Sequence, residues 1–277
     1  MTEGRRANIG GRFVVTHSAR RDLPAGLDEW ALTLKNLFLP IFCKECRAWL
    51  LTEENGFFCP VCWETSPRIT RPFCTCCGRP HTQTVGFGTA SNFPCAQCRA
   101  KPPRHVRRIY GAACYDGAVA EAIKLFKFHD RPRLAKPLGE LMAGFAGIEM
   151  DCAAYDFVVP VPLHRVRERD RGYNQSRLLA EALTQTFPRA RLNDSLKRIR
   201  PTQVQSQAAN PAARRANVVG AFAVLGESLF EGSTVLLIDD VVTTAETVSE
   251  CAAALKRAGA AQVDVLAAAL AVWLERP

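Results

Sequence analysis

The chain has 277 residues, of which 48% are hydrophobic and 23% charged, with a formal net charge of +9. That length buries one good core plus a smaller module, and the composition is that of a soluble globular protein. No apolar run approaches the roughly 20 residues that cross a bilayer, which excludes a membrane-spanning reading, and the first residues lack a secretory h-region and cleavage site, so a cytoplasmic home is expected.

Residues 1–27, rich in Arg and Gly, are expected to form a disordered basic N-terminus. Residues 30–42, from Trp30 to Phe42, carry apolar side chains at helical spacing with Pro40 near the end. They predict a short amphipathic helix stopped by proline. Packing on the body is one role for it. Docking on a partner or on a membrane face, a peripheral association, is the other.

Eight of the twelve cysteines then fall into four C-x-x-C pairs. Cys43 and Cys46 are followed after twelve residues by Cys59 and Cys62, and Cys74 and Cys77 after seventeen by Cys95 and Cys98. Each pair turns back so that two thiolates converge, and two pairs complete a tetrahedral Zn²⁺ site. Four thiolates leave no open position for catalytic water, so both sites read as structural staples for a segment poor in apolar periodicity. Cys76 and His81 are the competing donors. A disulfide framework is the alternative for the set, though nothing signals secretion. Residues 28–105 are therefore expected to form a double zinc-ribbon module.

From about Arg108 strands alternate with helices. Strands are predicted over Tyr110–Tyr115, Phe157–Val159, Val218–Val224, Val235–Ile238 and Val263–Val272. Helices are predicted over Gly117–Phe126, Leu134–Ile148, Asn174–Phe187 and Thr247–Ala258, the last stopped by Gly259. This order predicts a parallel α/β sheet flanked by helices over 106–277, with ligands beyond the carboxyl ends of its strands.

Three stretches in that part carry chemistry. The first is Pro160, Val161, Pro162, Leu163 and His164, followed by Arg165, Arg167, Arg169 and Arg171 and then Gly172-Tyr173-Asn174-Gln175, which opens a helix. The arginine fork suits pyrophosphate oxygens bidentately; a solvated basic loop is the plainer reading. The second runs from Lys197 through Arg198 and Arg200 to Arg214, Arg215 and Asn217, polar and aperiodic, and fits a lid over an anion or a nucleic-acid-contacting loop. Residues 163–217 hold twelve Lys and Arg against four Asp and Glu, a rim that suits pyrophosphate or nucleic acid. The third is Val235-Leu236-Leu237-Ile238-Asp239-Asp240-Val241-Val242-Thr243-Thr244-Ala245-Glu246-Thr247. An apolar strand ends in two carboxylates, then a hydroxyl-rich loop enters a helix whose first N–H groups can hold a phosphate. The carboxylates are placed for sugar hydroxyls and a hydrated Mg²⁺. A ribose bearing a 5′-phosphate and a pyrophosphate satisfies all of these at once.

This third string resembles the ribose-phosphate signature of type I phosphoribosyltransferases, with Ala245 where Gly is usual. All three stretches in this order, behind a cysteine-rich front, resemble the ComF/GntX family of competence-associated proteins over about residues 30–272. The resemblance implies a double zinc ribbon with two structural Zn²⁺, a type I phosphoribosyltransferase-like domain, and cytoplasmic work on single-stranded DNA during natural transformation. It implies that Asp239 and Asp240 bind ribose hydroxyls with Mg²⁺ nearby, and that Thr243, Thr244 and Thr247, within the loop Val242–Thr247 that includes Ala245 and Glu246, hold the 5′-phosphate. Pro160 to His164, with Arg165, Arg169 and Arg171, would form the pyrophosphate site, and Arg198 and Arg200 would belong to a mobile catalytic loop. Thr243 stands where many purine-salvage relatives carry Asp, which argues against purine salvage. Three functions follow as expectations. One is phosphoribosyl pyrophosphate binding in a DNA-uptake protein. Another is an active transferase that displaces pyrophosphate in favour of an unknown acceptor. The last is a scaffold docking an uptake helicase through its zinc module.

Overall fold

The computed structural model describes residues 41–50, 57–81, 92–200, 219–226 and 229–271. The basic N-terminus expected over 1–27, residues 30–40 of the helix expected over 30–42, and the part of the polar stretch that holds Arg214, Arg215 and Asn217 lie outside the described residues; the last two residues of that expected helix, Ile41 and Phe42, are corrected to a short strand.

Five parallel strands make the sheet that positions the site: β3 (Arg108–Cys114), β4 (Phe157–Pro160), β5 (Arg191–Leu192), β8 (Thr234–Val242) and β9 (Gln262–Leu270), in the spatial order β3-β9-β8-β4-β5. The runs Val235–Ile238 and Val263–Leu270 are buried along their length, as strands covered on both faces must be. The covering helices are α3 (Gly117–Phe128), α4 (Ala135–Glu149), α6 (Gln175–Ala182) and α7 (Glu246–Arg257). Val119, Ile123 and Phe126 of α3 and Leu138 and Met142 of α4 recur at helical spacing and are all fully buried, each large side chain contributing about 1.5–3 kcal/mol of hydrophobic stabilisation. A separate antiparallel pair, β6 (Leu196–Arg198) with β7 (Phe222–Val224), packs against α7.

Four further local expectations are corrected. The strand expected over 235–238 runs on to Val242, because Asp239 keeps its register with Ala267 and Val242 with Leu270; the aspartates sit inside the paired strand. The helix expected over 174–187 stops at Ala182. Thr184 there turns its hydroxyl onto the Glu181 carbonyl at 2.9 Å, an alternative to the helical ladder, while Leu183 and Phe187 stay fully buried. Phe222–Val224 pairs with β6 and not with the sheet. The arginine run, read as a loop, forms helix α5 (Arg165–Arg171): His164 caps its start, and Gly172, at φ +80°, ends it in the left-handed conformation.

The cysteine-rich segment holds β1 (Ile41–Phe42), β2 (Trp49–Leu50), α1 (Pro60–Glu64) and α2 (Ala96–Ala100). Phe42–Pro277 form one compact unit, and main-chain bonds sew this segment to β3. Ile109 N–H donates to the Cys76 carbonyl (2.9 Å), Ile69 N–H to that of Ala112 (3.1 Å), and Cys114 N–H to that of Pro67 (2.8 Å). The sheet edge at β3 is thereby covered.

Candidate functional site

In each cysteine quartet, Cys43, Cys46, Cys59, Cys62 and Cys74, Cys77, Cys95, Cys98, the ligand atoms all lie within 4.8 Å of one another. Main-chain N–H groups of Cys76, Cys77 and Cys95 point at Cys74 Sγ (3.4, 3.5 and 3.2 Å), and that of Cys59 at Cys43 Sγ (3.3 Å). The thiol of Cys77 and these N–H donors pull Cys74 down to about 3; burial works to raise Cys43, but the N–H donors of Cys59, Cys46 and Glu45 together outweigh it and bring it to about 6. Burial pushes Cys98 up to about 12. Four converging sulfurs in each quartet, with N–H donors that favour the thiolate aimed at one of them, Cys43 in the first and Cys74 in the second, fit structural zinc. The two spare donors are accounted for. Cys76 stays outside the second quartet, and His81 stacks on Phe93 at 3.9 Å with Nε2 at 2.9 Å from the Phe93 carbonyl.

The second centre is a cavity of about 1090 Å³ at the carboxyl ends of β4 and β8. Strand β8 delivers Asp239 and Asp240 to its floor, and Val242, Thr243, Thr244, Ala245, Glu246 and Thr247 form the wall where the chain enters α7. Ala245 takes the left-handed conformation (φ +60°) as the N-cap of α7, so the turn keeps the geometry that Gly adopts freely, at about 1–2 kcal/mol for an L residue. Glu246, in the first helical turn, reaches Arg104 at 3.9 Å.

Asp240 is 4% exposed, and its Oδ1 lies 2.9 Å from Lys127 Nζ. Asp239 Oδ1 accepts from Ser176 Oγ (3.1 Å) and from the Asp240 N–H (3.0 Å). Burial, reinforced by the neighbouring Asp240 charge, raises Asp239 to about 7.

Val161, Pro162 and Leu163 line the opposite wall, with Arg167, Arg169 and Arg171 of α5 and Arg198 of β6. Asn174 fixes this loop: it caps α6 through Ser176 N–H and donates from Nδ2 to the Val161 carbonyl at 3.1 Å. Arg171 donates to Gln175 Oε1 (2.6 Å) and stacks on Phe128 at 5.5 Å. Arg198 stacks on Phe222 at 5.4 Å. Burial pushes both guanidinium groups below their ordinary value. Pro160, the last residue of β4, His164, the cap of α5, and Arg165 lie outside this wall, as does Arg200, whose Nη2 donates to the Val219 carbonyl at 2.6 Å.

Lys127, Phe128, Tyr115, Asp130, Gln175 and Ser176 also line the cavity. The sequence motifs pointed to none of them as a ligand-binding residue. Ser176 follows the Asn174-Gln175 helix start. Lys127 lies in the last turn of a helix that follows β3, two strands away from β8 in the sheet order, and only three-dimensional pairing connects it to Asp240.

The fold and the two centres define a type I phosphoribosyltransferase-like α/β domain that carries a double zinc ribbon. The profile of the Phosphoribosyl transferase domain matches residues 174–272, and that of the Double zinc ribbon domain matches residues 34–99. "DNA utilization protein YhgH" of Escherichia coli (strain K12) is 32% identical over 236 residues, covering 83% of this chain and 96% of that protein. "Competence protein F" of Haemophilus influenzae is 26% identical over 232 residues, covering 82% and 96%. The chain belongs to this competence-associated ComF/GntX family. Among solved structures, the glutamine phosphoribosylpyrophosphate amidotransferase of B. subtilis superposes with a TM-score of 0.35 at 18% identity, over 52% of this chain and 30% of that one. Among the described residues no helix is long and apolar enough to cross a membrane.

Proposed function

We propose that the cavity binds phosphoribosyl pyrophosphate and that the protein uses this ligand in handling single-stranded DNA. The observation that carries the reading is that the acidic pair, the threonine loop at the start of α7 and the arginines of α5 open on one cavity beyond the carboxyl ends of β4 and β8, where α/β sheets bind their ligands. Asp239 takes the ribose hydroxyls. Thr243, Thr244 and Thr247, with the N–H groups of the first turn of α7, take the 5′-phosphate. Val161 to Leu163, with Arg169 and Arg171, take the pyrophosphate. The carboxylates offer the hard oxygens that Mg²⁺ prefers, and a bound ion would supply neutralising charge to the pyrophosphate.

A double substitution tests this. Asp239→Ala with Asp240→Ala is expected to abolish calorimetric binding of phosphoribosyl pyrophosphate in the presence of Mg²⁺ while zinc content stays at the wild-type level. Unchanged affinity refutes the assignment.

A second reading has its own observation. Helix α5 carries Arg165, Arg167, Arg169 and Arg171 within seven residues, and three of these four line the cavity mouth. That density of guanidinium groups suits the phosphates of a single strand. The names of the relatives, which refer to DNA utilization and competence, support this assignment, and the two readings combine if a strand approaches the cavity along α5.

A further inference from the structure

We propose that Lys127 is the resident counter-ion of the acidic pair, holding the place beside Asp240 that a divalent cation would otherwise fill, and so sets how far the cavity depends on metal. The inference rests on the proposed ligand only for the anion used to probe it.

Three features aim Lys127. Phe126, the residue before it, is fully buried. The Phe126 carbonyl accepts both Tyr173 OH (2.6 Å) and Gln175 Nε2 (3.2 Å), which pins the end of α3 to the segment that enters α6. Lys127 Nζ then reaches Asp240 Oδ1 at 2.9 Å, with side-chain exposures of 22% and 6%. A carboxylate this buried is costly without a compensating charge, and Lys127 supplies it from inside the chain.

The neighbouring carboxylate is held differently. Asp239 Oδ1 is bound by a serine hydroxyl and a main-chain N–H, both neutral donors; the Lys127 charge also favours its ionised form, but burial and the Asp240 charge outweigh it. The two aspartates therefore divide the work: Asp240 is ion-paired, and Asp239 faces the cavity as the open acceptor. A hydrated Mg²⁺ approaching Asp240 Oδ1 competes with the ammonium group already there. With Lys127 in place, an anionic ribose phosphate meets a floor already neutralised at Asp240, and its binding does not wait for metal. Without Lys127, two adjacent carboxylates make a vacant hard-oxygen site that a divalent ion can occupy.

The test uses full-length, zinc-loaded wild type, Lys127→Met, Lys127→Arg and the double variant Lys127→Met with Asp240→Asn. Mn²⁺ alone is titrated into each ligand-free protein and followed by electron paramagnetic resonance. Lys127→Met is expected to bind Mn²⁺ at least about tenfold more tightly than wild type. The double variant should lose that gain, and Lys127→Arg should stay like wild type. Phosphoribosyl pyrophosphate is titrated separately. Lys127→Met is expected to lose at least about tenfold in affinity in Mg²⁺-free buffer but no more than about threefold with Mg²⁺ at saturation.

Equal Mn²⁺ binding by wild type and Lys127→Met overturns the proposal, as does an equal loss of ligand affinity with and without Mg²⁺. A wild type that binds no phosphoribosyl pyrophosphate under either condition refutes the proposed function instead, and the Mn²⁺ comparison then decides the role of Lys127 by itself. Should Lys127→Met fail to fold, Lys127→Gln takes its place, and a Mn²⁺ site gained by Lys127→Arg is sufficient to overturn the proposal.

Discussion

Asp239 and Asp240 adjoin in the chain yet meet opposite surroundings, a lysine for one and neutral donors for the other. The raised value of Asp239, about 7 against 3.8, fixes the sign of a pH effect. The folded state holds the proton more tightly than the unfolded chain, so this residue's contribution to stability falls as pH rises from about 4 through 7 and then levels off. Asp239→Asn imitates the protonated form at every pH. Its stability advantage over wild type is therefore expected to grow between pH 5 and pH 8 by about 1–2 kcal/mol, a figure discounted because Asp239 keeps part of its surface open to the cavity. Urea denaturation at both pH values measures it, and a constant difference would contradict the raised value. At this scale the sequence was most legible where function is local. The acidic pair, the threonine loop and the left-handed position at Ala245 lie within nine consecutive residues, 239–247. The roles of Lys127 and Ser176 were hidden because their partners are far along the chain, and no periodicity records such a pairing.

The zinc-ribbon segment and β3 meet along a seam whose tightest point is Gly78. Its φ is +71°, and a Cβ there would stand 2.5 Å from the Ile109 carbonyl oxygen, which sits next to the Cys76–Ile109 main-chain bond. Gly78→Ala is expected to cost about 1–3 kcal/mol through left-handed strain and forced separation of the seam, while zinc stoichiometry by atomic absorption stays unchanged. Loss of zinc with the substitution would place the damage in the knuckle and not in the seam. Among elements, the long apolar strands were the easiest to read, since Val235–Ile238 and Val263–Leu270 are buried from end to end. Helix α5 was harder. Arginine at every second position gives no apolar stripe, and the helix is defined by its ends, with the His164 cap accepting from Val166 N–H at 3.4 Å and Gly172 closing it. The β6–β7 pair is joined across residues 199–221, so its antiparallel partnership was not visible in either strand alone.

For the molecule as a whole, the formal charge of +9 is concentrated in the stretch that contains α5. If that surface tracks a single strand, the logarithm of the binding constant for a short oligonucleotide should fall linearly with the logarithm of salt concentration. Removing Arg167 and Arg169 together by alanine should reduce the slope by about 1.4, which is about 0.7 for each phosphate that is no longer neutralised. Fluorescence anisotropy across a salt series reads this directly, and an unaltered slope would move the nucleic-acid interface away from α5. The order of the modules and the α/β class were legible from spacing and alternation. The seam between them was not, because it is made of main-chain bonds, which leave no side-chain pattern to read. That seam gives the cysteine quartets a duty beyond holding their own segment. A terminal strand with unpaired amides is a template for lateral growth, and here metal-held turns keep β3 from serving as one. Under zinc starvation the first casualty would then be solubility, with chains adding to one another along that border before any ligand affinity is lost.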